Sequence, residues 1–270
     1  MPYFSVVQEA AALGCAIDWG SDDGMPSQKG TLYESPDGFA MPEDFLARPP
    51  IATVIDAVKK LKKRFGDQVY IMGKVMGPWT LSYHLHGIED FLIETLTEPK
   101  TVHAFLDRFK EVTTTFMRAQ FEAGADAVTI ADHITRDLAS PHAYSEYLIG
   151  VHKEIIAGFP GKTILLHCCG NTLDRIGLFS QAGFNAFHFD SKNAIHEAMA
   201  ASDSMKLTGC VDNQDVLLRG GSEDVRRQVL EIVQSGIRLV SPECAVPLGV
   251  KNENLAEIVK TVVEYGVGSA

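Results

Sequence analysis

The 270-residue chain is short of several things that would each have named a class. No run of 18 or more apolar residues occurs, so no membrane-spanning helix is expected. The start, Met1-Pro2-Tyr3-Phe4, has neither the basic stretch nor the apolar stretch of a secretory signal. The expected location is therefore the cytoplasm. Basic residues are outnumbered 24 to 35, giving a net charge of −11, and no broad basic surface is in prospect for a nucleic acid. The densest basic group, Lys59, Lys60, Lys62, Lys63 and Arg64, reads as the wet face and end of one helix. Only five cysteines occur, Cys15, Cys168, Cys169, Cys210 and Cys244, an odd number that argues against a disulfide framework. Neither GxGxxG nor GxxxxGK[ST] is present, so the usual phosphate loops of open nucleotide-binding sheets are missing.

What is there is a rhythm. After an irregular first 50 residues closed by Arg48-Pro49-Pro50, apolar strand-like runs alternate with amphipathic helical stretches. The strand candidates are Val69–Val75, Ala127–Asp132, Thr163–Cys169, Ala186–Asp190, Lys206–Asp212 and Ile237–Pro242. Between and after them the helical candidates are Ile88–Leu96, Pro99–Ala123, Pro141–Gly158, Leu173–Ala182, Ala194–Ala201, Glu223–Gln234 and Glu253–Tyr265. Glycine follows Ala123, Ala182 and Ser235, the expected stop after a last helical turn. Strict alternation means parallel strands with helical crossovers. With no phosphate loop, the expectation is α/β, a single (β/α)8 TIM-type barrel domain over residues 1–270. Six strands are counted where eight close a barrel, so one or two N-terminal strands are expected to be lacking. Residues 2–7 could be the tail of one more.

Barrel chemistry collects at the C-terminal ends of strands. Those ends here are polar: Asp132-His133, His167-Cys168-Cys169, His188 with Asp190, Cys210 with Asp212, and Glu243-Cys244. Side chains alternate along a strand, which puts His167 and Cys169 on one face and Cys168 on the other. The same parity pairs His188 with Asp190, and Phe187 with Phe189 against the helices. One imidazole and two thiolates suit Zn²⁺, and three protein ligands leave a coordination position open for chemistry. His167 and Cys169 would supply two ligands and Cys244, past another strand end, the third. Cysteine is also a common buried filler, and Cys15 and Cys168 are read that way.

The stretch Leu166-His167-Cys168-Cys169-Gly170-Asn171-Thr172 resembles the HxCG segment of the uroporphyrinogen decarboxylase-like superfamily, in its methylcobamide:coenzyme M methyltransferase branch. The likeness continues through Gly73–Leu81, Gly124–Asp132, Gly209–Asp212 and Ser241–Pro247, and so covers nearly all of residues 1–265. The resemblance implies a (β/α)8 barrel holding zinc on His167, Cys169 and Cys244. It implies a thiol acceptor such as coenzyme M, activated as a zinc-bound thiolate, and a methylated corrinoid carried by a partner protein. The set also resembles that of cobalamin-independent methionine synthase. Compared with the family, roughly the first 60 residues are absent, about two strands' worth. Cys210 stands where many relatives carry Asn.

Trp79, Tyr83, His84 and His86 are expected to line the mouth that admits the corrinoid. Asp132, His188, Asp190 and Asp212 are expected to orient His167 or touch substrate, with satisfied rim groups as the competing role. Methyl transfer in the opposite direction, from a methylated donor to a corrinoid protein, is the alternative, and a barrel without turnover is the non-enzymatic one. The oligomeric state, the donor and the thiol are left open.

Overall fold

Period-2 and period-3.6 burial patterns become strands and helices where the sequence alternates them. A computed structural model describes residues 5–21 and 24–265. The six anticipated strands are all present, each displaced by no more than a few residues. They follow two short strands, β1 (Ala16–Asp18) and β2 (Ser27–Lys29), which pair antiparallel. The six are β3 (Met72–Met76), β4 (Ala127–Ala131), β5 (Thr163–His167), β6 (Ala186–Phe189), β7 (Lys206–Val211) and β8 (Leu239–Pro242). In sheet order they follow the chain from β3 to β8. The helices are α1 (Gln8–Leu13), α2 (Pro49–Phe65), α3 (Pro78–Leu85), α4 (Ile88–Thr97), α5 (Pro99–Glu122), α6 (Pro141–Ala143), α7 (Ile149–Ala157), α8 (Ile176–Ala182), α9 (Ile195–Ala201), α10 (Ser222–Gln234) and α11 (Asn252–Tyr265). The fold is α/β, of the TIM-barrel type. The proposed extra strand within residues 2–7 is not seen in the described part, since Ser5–Val7 forms none, and residues 2–4 lie outside the described residues.

The chain divides into two compact units. The first comprises residues 1–134 and 138–166, the second residues 135–137 and 167–270. In the first, β3 and β4 pair in parallel from Met72 opposite Ala127 to Met76 opposite Ala131. Helix α5 covers β3 with Phe105, Phe109, Val112, Thr113, Phe116 and Gln120, all buried. Its close approach needs Gly73, because a Cβ there would lie 2.4 Å from Gln120 Oε1. Gln120 uses that proximity, accepting from Lys74 N–H at 3.0 Å and donating to Lys74 O at 2.7 Å. Helix α2 buries Ile51, Val54 and Val58, an i, i+3, i+7 stripe, and ends in Lys62, Lys63 and Arg64, which suit the negative end of the helix dipole. The basic group is thus a helix end, with Lys62 paired to Asp126 at 2.6 Å.

In the second unit β6, β7 and β8 are parallel, with His188 opposite Thr208 and Cys210 opposite Ser241. Phe187 and Phe189 are fully buried, and Phe179 of α8 packs on Phe187 at 5.0 Å between ring centroids. That contact turns the alternate residue, His188, to the other face. Helix α10 buries Val225, Val229 and Ile232, and Arg226 on it reaches Glu257 and Glu264 of α11.

Candidate metal centre

His167 is the last residue of β5, and Cys169 lies two residues past the strand. The expectation that alternation along a strand would bring the two together is corrected here, because the strand has ended before Cys169. The loop does it instead. Asp190, just after β6, accepts from Gly170 N–H at 2.8 Å and from Lys192 N–H at 2.9 Å. Asn193 accepts from Thr172 N–H at 2.8 Å and donates to Gly170 O at 2.9 Å. Gly170 takes a positive φ of 82°, and a Cβ on it would meet Thr135 Oγ1 at 2.7 Å. The turn therefore suits glycine alone.

The result places Cys169 Sγ 3.1 Å from His167 Nε2, and Cys244 Sγ 3.6 Å from the same nitrogen. One donor atom from each of His167, Cys169 and Cys244 lies within 4.8 Å of the others, a grouping able to hold a metal ion. Cys210 is not part of this group. It is buried in β7, and burial, with help from Glu243, pushes its thiol up to about 12. Cys168 is buried behind the turn and Cys15 is buried in the first unit, as packing residues.

The two site sulfurs behave as one proton-sharing pair. Cys244 is pulled down, first by the hydrogen bond from Cys169 and, against burial, with support from the Ala245 N–H. Cys169 is pushed up, because it keeps the proton that stabilises its neighbour and is buried.

The tautomer of His167 follows from its partners. His188 Nε2 lies 2.9 Å from Pro242 O, which can only accept, so that nitrogen carries the hydrogen. Ser241 Oγ lies 2.9 Å from the same nitrogen. A neutral His188 then accepts at Nδ1, where His167 Nδ1 lies 2.7 Å away. His188 O, 3.2 Å from His167 Nδ1, is a second acceptor. His167 thus bears its hydrogen on Nδ1 and turns the lone pair of Nε2 toward the two sulfurs. His188 thus contacts His167, the residue it was expected either to orient or to leave for a substrate contact.

The carboxylates expected near the chemistry have other occupations. Asp190 holds the turn after β5. Asp212 accepts from Gln214 N–H at 2.8 Å and Asp215 N–H at 2.6 Å, capping the wide turn Asn213–Leu218. In the first unit Asp132, 1% exposed, accepts from Thr80 N–H at 2.8 Å and faces His152 Nε2 at 3.0 Å. His152 in turn meets Tyr144 OH at 3.0 Å. Asp132 is thus a buried, fully engaged network residue, which matches the competing role of a satisfied polar group.

Trp79 and Tyr83, expected to line the mouth, are core residues of the first unit. Trp79 is 0% exposed, packs edge-on against Phe91 at 4.9 Å, and donates from its indole N–H to Tyr83 OH. His84, next to them, is pushed down to about 4 by burial and then by His133 and Lys74, and its buried Nδ1 has no hydrogen-bond partner among the described residues. His86 is committed to Tyr33 O at 2.8 Å and Glu94 at 3.1 Å. Sequence reasoning gave no role to Asn193, Asn213 or Ser241. Their signal is a pairing with groups some 20 to 50 residues away, backbone for Asn193 and Asn213 and the His188 ring for Ser241, which no local pattern carries.

Parallel strands with a His and two Cys gathered at and just past their C-terminal ends define a barrel protein with a metal-type donor set. The chain belongs to the uroporphyrinogen decarboxylase (URO-D) family, whose model matches residues 1–265. It is 27% identical over 264 residues to the methylated-thiol–coenzyme M methyltransferase of Methanosarcina mazei, covering 97% of this chain and 71% of that protein. It is 28% identical over 269 residues to the methylcobamide:CoM methyltransferase MtaA of Methanosarcina barkeri, covering 98% and 79%. Among solved structures, a methyltransferase from Methanosarcina mazei superposes with a TM-score of 0.91 at 26% identity, over 97% of this chain and 79% of that one. No described helix is long and apolar enough to cross a membrane.

Proposed function

We propose that this chain is a zinc-dependent methyltransferase that moves a methyl group from a methylated corrinoid, presented by a partner protein, to a small-molecule thiol such as coenzyme M. The observation that carries the reading is the convergence of His167 Nε2, Cys169 Sγ and Cys244 Sγ within 4.8 Å, in a chain whose relatives are named for methyl transfer to coenzyme M.

The donor set fits zinc. One imidazole nitrogen and two sulfurs are its preferred ligand types, and two thiolates with a neutral imidazole balance a dication. Held by these three residues, Zn²⁺ would supply the positive charge that keeps a substrate thiol deprotonated at neutral pH.

The chain's own residues do the rest. His188, anchored on Pro242 O, fixes the His167 ring, and its ring nitrogen and its own carbonyl together set the His167 tautomer. The Cys169–Cys244 pair holds one proton between two sulfurs, so only one proton must leave for both to become anionic donors. Asp190 and Asn193 fix the turn that carries Cys169, so the donors are positioned without rearrangement.

Zinc-loaded protein mixed with methylcobalamin and a panel of thiols should bleach the methyl–cobalt absorbance only in the presence of a competent thiol. Cys244→Ser should bind the metal far more weakly and lose activity. Protein that binds zinc yet supports no thiol-dependent demethylation would overturn the transfer direction. Methylation of cob(I)alamin by a methylated donor would then establish the opposite one.

A further inference from the structure

We infer that Asn213 is a positioning residue for Cys244, clamping the loop that presents this sulfur; the inference rests on the reading of Cys244 as a metal ligand. Cys244 sits in a segment with no helix or strand of its own between β8 and α11. Without a ladder, the position of such a segment must come from individual hydrogen bonds. Asn213, 4% exposed just past β7, provides two that bracket the cysteine. Its backbone N–H donates to Glu243 Oε1 at 3.0 Å, and its side-chain Nδ2 donates to Ala245 O at 2.7 Å. The residues before and after Cys244 are thus tied to one residue about 30 positions earlier.

The clamp has a second anchor. Glu243 Oε2 accepts from Ser191 N–H at 2.9 Å, and Glu243 N–H donates to Val211 O at 2.9 Å. Ala245 matters doubly, because its own N–H supports the Cys244 sulfur while its carbonyl is held by Asn213. The amide orientation is fixed, since a carbonyl can only accept. That orientation leaves Asn213 Oδ1 buried with no hydrogen-bond partner among the described residues. An apolar side chain of similar size would avoid that cost to folding. The asparagine is therefore explained by what its donor holds rather than by packing.

The test uses Asn213→Ala and Asn213→Asp, the second nearly isosteric but with an acceptor in place of the donor. Zinc affinity by chelator competition should fall on the order of 10- to 100-fold in either variant, the usual range for groups that orient a ligand. The sulfur-to-cobalt charge-transfer bands of Co²⁺-loaded protein should shift with it. In a Cys244→Ala background the same substitutions should cost no further affinity, because there is no sulfur left to position. In metal-free protein, amide exchange should quicken across residues 243–247 and not across 163–167, a readout that stands even if the chain proves to take no metal. Should Asn213→Ala not fold, Asn213→Asp carries the comparison. Unchanged affinity and exchange, or an equal loss with and without Cys244, would overturn the assignment.

Discussion

Replacing His188 by phenylalanine keeps a ring of similar volume and removes both nitrogens. Two contacts go, the 2.7 Å link to His167 Nδ1 and the 2.9 Å link to Pro242 O with Ser241 Oγ beside it. The groups left behind are not orphaned. His167 Nδ1 keeps the backbone carbonyl of residue 188 at 3.2 Å, and Pro242 O keeps Ser241 Oγ at 3.2 Å. The cost is therefore that of two ordinary hydrogen bonds, about 1–3 kcal/mol of folding stability in all, rather than that of buried unpaired groups. His167 retains its tautomer but gains freedom to swing, so zinc affinity should fall by roughly tenfold, the low end for a ligand-orienting residue. Urea unfolding and chelator competition on the same preparations measure the two quantities. Affinity unchanged within experimental error would refute the relay. Complete metal loss with the fold intact would equally refute it, by making His188 a ligand rather than an orienting group.

Asp132→Ala should destabilise the protein by about 3–5 kcal/mol in denaturant unfolding, because it strands Thr80 N–H and His152 in a dry site, whereas a catalytic role alone would leave stability untouched. Gly77→Ala should also destabilise, since its Cβ would lie 2.2 Å from Asp132 Cγ, and a normal melting temperature would contradict that packing. Metal-free protein should titrate one thiol below the ordinary thiol value of 9.0, visible in ultraviolet absorbance, and that signal should be absent in Cys244→Ser. The linkage has a definite sign. With Cys244 depressed, the unfolded chain binds the extra proton between the lowered folded value and the ordinary thiol value of 9.0, so this group makes stability rise with pH across that window. Above it the raised Cys169 reverses the slope, because the folded state then holds the extra proton. A stability profile that is the same in wild type and in Cys244→Ser across that window would refute the shared proton.

The candidate site was legible in part. His167, Cys169 and Cys244, which the structure groups within 4.8 Å, could be named as candidates because a metal's demand for nitrogen and sulfur is a demand on residue type, and residue type is what a sequence records. The reason given for Cys169 was incomplete, since strand alternation stops at His167 and the turn built by Gly170, Asp190 and Asn193 finishes the placement. Asp132, Asp212 and Trp79 look alike in sequence whether they face a ligand or a neighbour. Asp132 met His152, 20 residues on, Asp212 met the next turn, and Trp79 met Phe91 and Tyr83.

The sequence by itself determined the alternation of six strands with helices, because burial on a sheet or a helix face repeats at a fixed short period and leaves its mark residue by residue. It determined the glycine stops after α5, α8 and α10 for the same local reason. Tertiary structure alone decided which polar groups were free to act. Each buried carboxylate or amide takes its role from whichever backbone group the fold brings within about 3 Å, and that choice, as between Asn213 and the carbonyl of Ala245, spans distances in sequence over which no periodicity reaches.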